Sequence, residues 1–435
     1  MRYGSRLWRS LSPYKPAFVD DIYTHSEDSR ILYLNPTAPD WITINEKYKP
    51  IFDLFNGKNC IKVIFSYINT NFSDEKDILI PQVKELFENS SLFKGNSNKP
   101  KNKQYKLPNS IYLTLTDYCN INCIYCYATE RNKNENISLE KWKYYVASII
   151  DFAKEPIFTF TGGEPLLLPY VFELANFIRE KNCKIILLTN GTLITSNEIA
   201  RKIAKLFDLV KISLDSLDEN ICKIFRGDGV LESVKNAFQL LRSNDCNVNI
   251  LATVTSMTCE QLDEFSKYFE NNVNFQPLYV IGRARHNNSL YITGEQYYNA
   301  LTKNGKFNLL HEYHNKIFNF RNNPCKRCAL ADAELSIDPN GNVFPCHMLH
   351  YDDFICGNLN HQNIKDIYRK SKKMIELRKI NVDNIPKCKN CIFRNFCGAA
   401  CRARIDITKF GITGNDDFCS FEQKQILDAL MFSYG

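Results

Sequence analysis

The sequence predicts an α/β chain built on a partial (β/α)6 TIM-type barrel, with a small α+β unit before it and a cysteine-rich region after it. Three observations carry this expectation. Between residues 107 and 285, apolar runs of strand length alternate with helical patterns. Polar, glycine-bearing motifs fall at the ends of those runs. Eleven of the 17 cysteines fall into tight clusters, three early in the central region and eight between 325 and 419.

Residues 1–94 hold no cysteine cluster and no glycine-rich loop. Phe18–Tyr23 and Arg30–Leu34 read as short strands around an Asp/Ser-rich turn. Thr43–Phe55 reads as a helix ending at Asn56-Gly57, and Asp77–Phe87 as a second helix. Gly95–Gln104 is polar and rich in breakers, a linker placed at 95–106. The barrel is expected over 107–310. Its six buried parallel strands are Ile111–Leu115, Ile157–Phe160, Ile185–Leu188, Leu209–Leu214, Val248–Val254 and Phe275–Ile281. Helical patterns at Leu139–Ala153, Tyr170–Glu180, Glu198–Phe207, Leu231–Arg242 and Glu260–Glu270 separate them. A closed eight-stranded barrel would need two further units, which the sequence does not offer. A third unit is expected over 311–435, where Ile337–Cys346 reads as a hairpin turning at Pro-Asn-Gly.

Composition narrows the function classes. A chain of 435 residues, 44% hydrophobic, buries a large core in two or three domains. The net charge of +7 is dispersed, with only Lys99–Lys103 resembling a cluster, so nucleic acid is not the expected partner. No apolar run reaches the roughly 18 residues of a spanning helix, and Met1–Trp8 lacks the apolar core of a secretion signal. The expected compartment is the cytoplasm. There, clustered cysteines argue for metal ligation rather than disulfides. Cys60, Cys183, Cys222, Cys246, Cys259 and Cys356 are scattered and read as small apolar residues.

Cys119, Cys123 and Cys126 stand in a C-x3-C-x2-C spacing directly after the run Ile111–Thr116. Three thiolates on one loop hold three irons of a cubane cluster and leave the fourth iron open to a small molecule. That points to catalysis rather than electron storage. A partial zinc site is the competing reading, but the C-terminal end of a barrel strand is where such folds place chemistry.

This loop, with Tyr125 before its third thiolate, is similar to the signature of radical S-adenosylmethionine (SAM) enzymes, whose core is also a partial (β/α)6 barrel. The resemblance implies that SAM chelates the open iron and is cleaved by one electron to a 5′-deoxyadenosyl radical, and that the host is anaerobic or microaerobic. Thr161-Gly-Gly-Glu-Pro165 resembles the family's motif for the SAM amino group, implying roles for Gly162, Gly163, Glu164 and Pro165. By the same resemblance Asn190 and Asp215 lie near the ribose, Ser213 and Arg226 reach the carboxylate, and Gly282 (in Val280-Ile-Gly282) and Tyr125 approach adenine through their backbones. For Arg226 a surface salt bridge is the competing reading.

The later cysteines are similar to the SPASM extension of these enzymes. Cys328 is followed by twelve residues, Gly341, four residues and Cys346. Cys388-x2-Cys391-x5-Cys397-x3-Cys401 and Cys419 complete the pattern. The resemblance implies two auxiliary 4Fe–4S clusters and three in all: Cys325, Cys328, Cys346 and Cys401 on one, and Cys388, Cys391, Cys397 and Cys419 on the other. Cys325 stands only three positions before Cys328, with Cys356 as a spare, so the fourth ligand of the first cluster stays open. Structural zinc would also suit four thiolates, but the usual pair-of-CxxC ribbon is absent.

Residues 1–94 resemble, in pattern only, the winged-helix-like recognition element of peptide-modifying enzymes, which adds a leader peptide as a strand to a sheet edge. A structural cap is the alternative. Together these resemblances imply a radical SAM/SPASM maturase that crosslinks a ribosomally made precursor peptide. A thioether is favoured over C–C or C–O bonds, and the electron donor would be flavodoxin or ferredoxin. Rival readings are an anaerobic sulfatase maturase, a quinone-cofactor or haem-modifying relative, and a non-catalytic iron–sulfur carrier or scaffold.

Overall fold

The computed structural model describes residues 14–94, 107–128, 136–303, 320–321, 323–405 and 410–432. The expected linker at 95–106 and the expected boundary at 310/311 lie outside the described residues.

The N-terminal unit is a three-stranded antiparallel meander, β1 (Tyr23–Glu27), β2 (Arg30–Asn35) and β3 (Asp40–Asn45), with helices Ile61–Asn71 and Lys76–Asn89. β1 and β2 meet at a two-residue turn in which Asp28 (φ 47°) and Ser29 (φ 59°) are both left-handed, the geometry that matches strand twist. The first expected strand is displaced: Phe18 makes only a single bridge, to Phe93, and stacks on Tyr33 and Phe93 at 5.1 Å each. The expected helix Thr43–Phe55 is mostly not one. Thr43–Asn45 belongs to β3, because Ile42 and Ile44 pair with Tyr33 and Ile31 of β2. Asn45 then caps a 3₁₀ turn by accepting from Lys47 N–H, and only Lys49–Phe52 is helical, opened by Pro50. Helix Ile61–Asn71 is not among the expected elements; its buried stripe is Ile61, Ile64, Phe65 and Ile68.

The barrel strands follow the expected order as β4 (Ser110–Thr116), β5 (Ile157–Gly162), β6 (Lys184–Thr189), β7 (Leu209–Ser213), β8 (Val248–Val254) and β9 (Val273–Pro277), all parallel. Near-continuous apolar composition suits strands covered on both faces, and Ile111, Leu113, Phe158, Phe160, Ile185, Leu187, Val210, Ile212 and Ile250 are fully buried. β9 ends at Pro277, short of the expected Ile281. An unexpected helix, Glu219–Arg226, follows β7, capped by the Asp218 carboxylate and stopped at Gly227 (φ 117°).

The expected hairpin forms as β10 (Glu334–Ile337) and β11 (Asn342–Phe344), with β12 (Gly357–Asn358) beyond it. It does not stand apart from the barrel. β10 pairs in parallel with β4, so one nine-stranded sheet runs β12-β11-β10-β4-β5-β6-β7-β8-β9. At the other end, helix Cys419–Phe432 lays Ile426, Ala429 and Leu430 against Leu32, Leu34 and Trp41 of the N-terminal sheet, with Phe393 and Phe396 between.

That seam is apolar and buried. Leu430→Ala, at a fully buried position, is expected to cost about 2–5 kcal/mol in denaturant unfolding. A loss below about 0.5 kcal/mol, the level of a surface change, would contradict this packing.

Candidate active site

The site is built where β4, β5, β6 and β7 end. Thr116 closes β4 and the chain turns into the cysteine loop. Gly162 and Gly163 run directly beneath it: Gly163 N–H donates to Thr116 O (2.7 Å) and Glu164 N–H to Tyr118 O (2.9 Å). Neither glycine can carry a side chain. A Cβ on Gly162 would lie 2.3 Å from Thr116 O, and one on Gly163 2.0 Å from Tyr118 O. From the other side, Gly282 (φ 56°) presses on the loop; its Cβ would lie 2.4 Å from Cys126 O, which accepts from Arg283 N–H at 3.1 Å. Asn287 Nδ2 donates to Ile124 O (2.8 Å), and Ile124 N–H to Phe225 O (3.0 Å).

Held this way, Cys119, Cys123 and Cys126 line one cavity of about 340 Å³. Burial pushes the Cys119 thiol up and the Cys123 thiol up to about 11; the neighbouring Cys126 adds to both rises, while the Arg226 charge works the other way on Cys123. Three soft donors within electrostatic reach of each other fit a metal centre that binds them deprotonated. Gly162, Gly163, Asn190, Ser213, Tyr125 and Arg226 line the same cavity.

Several expected site residues have other occupations. Glu164 is fully buried behind the wall, where it accepts from Asn190 N–H (2.7 Å), Thr189 Oγ1 (2.8 Å) and Leu166 N–H (3.1 Å); burial raises its carboxyl to about 7. It ties β5 to β6, and Pro165, itself buried, opens a 3₁₀ turn. Asp215, expected beside the ribose, is closed off by hydrogen bonds from Arg226 Nε (2.7 Å) and Nη2 (3.1 Å), Thr253 N–H (2.8 Å) and the Tyr125 hydroxyl. Arg226 is no surface ion pair. Its side chain is 6% exposed, and Nη1 points at Cys123 Sγ, 3.9 Å away. Asn190 Nδ2 donates to Asn120 Oδ1 (2.8 Å) and faces Cys119 Sγ at 3.7 Å.

Both later cysteine sets come together. Cys328, Cys346 and Cys401 lie within electrostatic reach of one another, as do Cys388, Cys391, Cys397 and Cys419. Cys325 is fixed by its N–H to Asn395 O (2.7 Å) and packs on Gly398, beside the turn that carries Cys397 and Cys401. Cys356 is in the hydrophobic core with its thiol on Phe354 O (3.3 Å), pushed up to about 12 by burial.

The cavity also has residues that sequence reasoning missed: Gln276, Tyr279, Arg283, His347 and Met348. His347 is immobilised by Nδ1 against Glu334 Oε1 (2.7 Å), by its N–H on the same oxygen (2.9 Å), and by stacking on Tyr112 at 4.0 Å. Its adjacency to Cys346 is visible in the sequence, but the pairing of β10 with β4 that brings it here is not.

With this geometry in view, residues 113–269 match the family model of the radical SAM superfamily. The chain belongs to that superfamily and is an enzyme of it. Residues 325–392 match the model of the SPASM iron–sulfur cluster-binding domain, so SAM and 4Fe–4S clusters are its cofactors. Among curated relatives, the AdoMet-dependent heme synthase of Methanosarcina barkeri is 25% identical over 68% of this chain and 92% of its own. The cysteine-type anaerobic sulfatase-maturating enzyme of Clostridium novyi is 26% identical over 71% of this chain and 92% of its own. Among solved structures, anSMEcpe with bound AdoMet matches with TM-score 0.60 at 22% identity, over 74% of this chain and 93% of its own. SuiB of Streptococcus suis bound to precursor peptide SuiA matches with TM-score 0.56 at 16% identity, over 92% of this chain and 98% of its own. No helix among the described residues is long and apolar enough to cross a membrane.

Gly163→Ala is expected to displace the loop that carries Cys119, Cys123 and Cys126: anaerobically prepared protein should hold less iron than the parent while keeping wild-type far-ultraviolet circular dichroism. Wild-type iron content would show that the loop does not depend on this close approach.

Proposed function

We propose that the chain is a peptide maturase that installs a crosslink, a thioether by preference, in a ribosomally made precursor peptide. The observation that carries this reading is the N-terminal meander, docked on helix Cys419–Phe432 of the same chain that holds the cysteine-lined cavity. A fold likeness to SuiB over 92% of the chain, against 74% for anSMEcpe, supports counting that unit as part of the enzyme. In this reading residues 1–94 recognise the leader, 95–106 link, 107–310 form the radical SAM barrel and 311–435 the SPASM domain. A sulfatase maturase, the second reading, has the relatives' names in its favour but no use for the meander.

Three clusters would be held by Cys119, Cys123 and Cys126; by Cys325, Cys328, Cys346 and Cys401; and by Cys388, Cys391, Cys397 and Cys419. When bound, the first cluster and SAM supply a 5′-deoxyadenosyl radical. The chain itself orients and excludes water: Gly162 and Gly163 give backbone access beside the thiols, Ser213 and Arg226 offer donors on the wall, and Asn190 braces the loop at Asn120. The leader would pair with β1. β3 is engaged, since Thr43 Oγ1 donates to Leu430 O (2.6 Å) and Arg321 donates to Trp41 O. β1 is an edge strand with Thr24, Ser26 and Glu27 exposed. A ferredoxin or flavodoxin would deliver the electron.

The test pairs the enzyme with short peptides encoded beside it, under reductant and SAM. The expected product has lost the mass of two hydrogens, alongside 5′-deoxyadenosine. Ser26→Pro removes an outward N–H from the β1 edge without breaking its pairing to β2. It should weaken precursor binding roughly tenfold, about 1.4 kcal/mol. Unchanged binding would remove β1 as the leader site; 5′-deoxyadenosine with no change in any peptide would remove the maturase reading.

A further inference from the structure

Two arginines line the cavity, and they differ in what they hold. Arg226 has its carboxylate: Asp215 accepts from Nε (2.7 Å) and Nη2 (3.1 Å). Arg283 donates from Nη1 to Cys123 O (3.2 Å) and to Asn122 Oδ1. No carboxylate among the described residues pairs with it, Asp117 on the same wall included. Arg285, two positions on, is off the wall: it donates Nη2 to the Tyr351 hydroxyl (3.2 Å) and stacks over that ring at 5.5 Å.

The fold itself fixes Arg283. β9 ends at Pro277, and the chain then enters a 3₁₀ turn, Gly282–His286, that lies against the cysteine loop. Arg283 N–H donates to Cys126 O (3.1 Å), and Arg283 O accepts from Asn287 Nδ2 (3.1 Å), the amide that also reaches Ile124 O. With the backbone and one nitrogen tied, the guanidinium plane is set. The two oxygens at Nη1 are neutral, so an amide side chain would serve them as well as a charged one. The Nε–Nη2 edge presents two parallel N–H groups at the spacing of a carboxylate's oxygens, and no described residue takes it. The wall beside it is uncharged at Gln276, Leu278, Tyr279, Ile281 and Met348. A half-buried guanidinium without an anion is the costly half of an ion pair. A carboxylate entering the cavity completes it.

We propose that Arg283 is a specificity-determining residue that binds a carboxylate of the peptide substrate, at an Asp or Glu side chain or at the C-terminus, and so sets which part of the peptide faces the thiol-lined end of the cavity. The substrate class is thereby an acidic peptide segment, read by a bidentate charge-assisted pair rather than by shape alone. This rests on the peptide-maturase reading.

The experiment is steady-state kinetics of the full-length, cluster-loaded enzyme on the precursor peptide encoded beside it, following peptide mass and 5′-deoxyadenosine. Each Asp or Glu of the peptide is replaced in turn by Asn or Gln, and in a separate arm its C-terminus is amidated, which tells the two sources of carboxylate apart. One of these changes should raise KM roughly ten- to hundredfold and leave kcat unchanged, the pattern of lost recognition. Arg283→Gln should show the same rise on the unaltered peptide and be indifferent to that change. Arg283→Lys should keep part of the preference and Arg285→Gln all of it. Arg283→Gln should also match the parent in iron content and in the change that SAM makes to its electron paramagnetic resonance spectrum. The proposal is overturned if no carboxylate of the peptide matters to the parent enzyme, or if its removal costs as much in Arg283→Gln as in the parent. Loss of iron or of the SAM response in Arg283→Gln would also overturn it, by making the residue a loop brace or a SAM contact. A parent enzyme that makes 5′-deoxyadenosine and alters no peptide would instead overturn the maturase reading beneath it.

Discussion

The close approach of two backbone segments, Gly162-Gly163 against Thr116–Cys119, is the constraint on which the rest of this structure depends. It needs two residues without side chains, because a Cβ on either would overlap a carbonyl oxygen of the facing segment. It joins the ends of β4 and β5, and it leaves three thiols facing one cavity instead of packing inward. Everything else around the loop is a second or third fastening: Gly282 and Arg283 at Cys126, Asn287 and Phe225 at Ile124, Asn190 at Asn120.

At the wall of the cavity sits an ion pair of which Arg226 lines the cavity while Asp215 lies behind it. Asp215 and Arg226 are both almost fully buried, with the Tyr125 hydroxyl and Thr253 N–H completing the carboxylate's partners. Two charges removed from water are held at the cost of desolvation and are stable only when their hydrogen bonds are satisfied. Here they are, and the arrangement leaves one guanidinium nitrogen aimed at Cys123. A positive charge beside a thiol favours its ionised form, which is the form a metal binds. The network thus supports the loop's chemistry and fixes Arg226 at the cavity wall.

The barrel was legible because buried parallel strands are continuous apolar runs and their helices are strongly amphipathic; the first five strands fall where those runs lie, and the sixth, Val273–Pro277, overlaps only the start of its run. The cysteine positions were legible from spacing alone. What was not legible depends on contacts distant in sequence. Thr43–Asn45 contains nothing that forbids a helix, and becomes a strand because β2 is beside it. Phe275–Ile281 is apolar but for Gln276, yet Pro277 ends the strand, and Tyr279 and Ile281 beyond it line the cavity. Asp215 and Arg226 stand eleven positions apart and were assigned separately, whereas burial makes them one unit. The pairing of β10 with β4, which makes a single sheet of the barrel and the hairpin, has no local signature at all.

The central claim is that Cys119, Cys123 and Cys126 hold a cluster whose open iron binds SAM. Electron paramagnetic resonance of the anaerobically reduced protein, with and without SAM, tests it most directly. The account predicts a 4Fe–4S signal whose g-values change on adding SAM, with that component lost in Cys123→Ala. Zinc in place of iron, or a spectrum that SAM leaves unchanged, would contradict it.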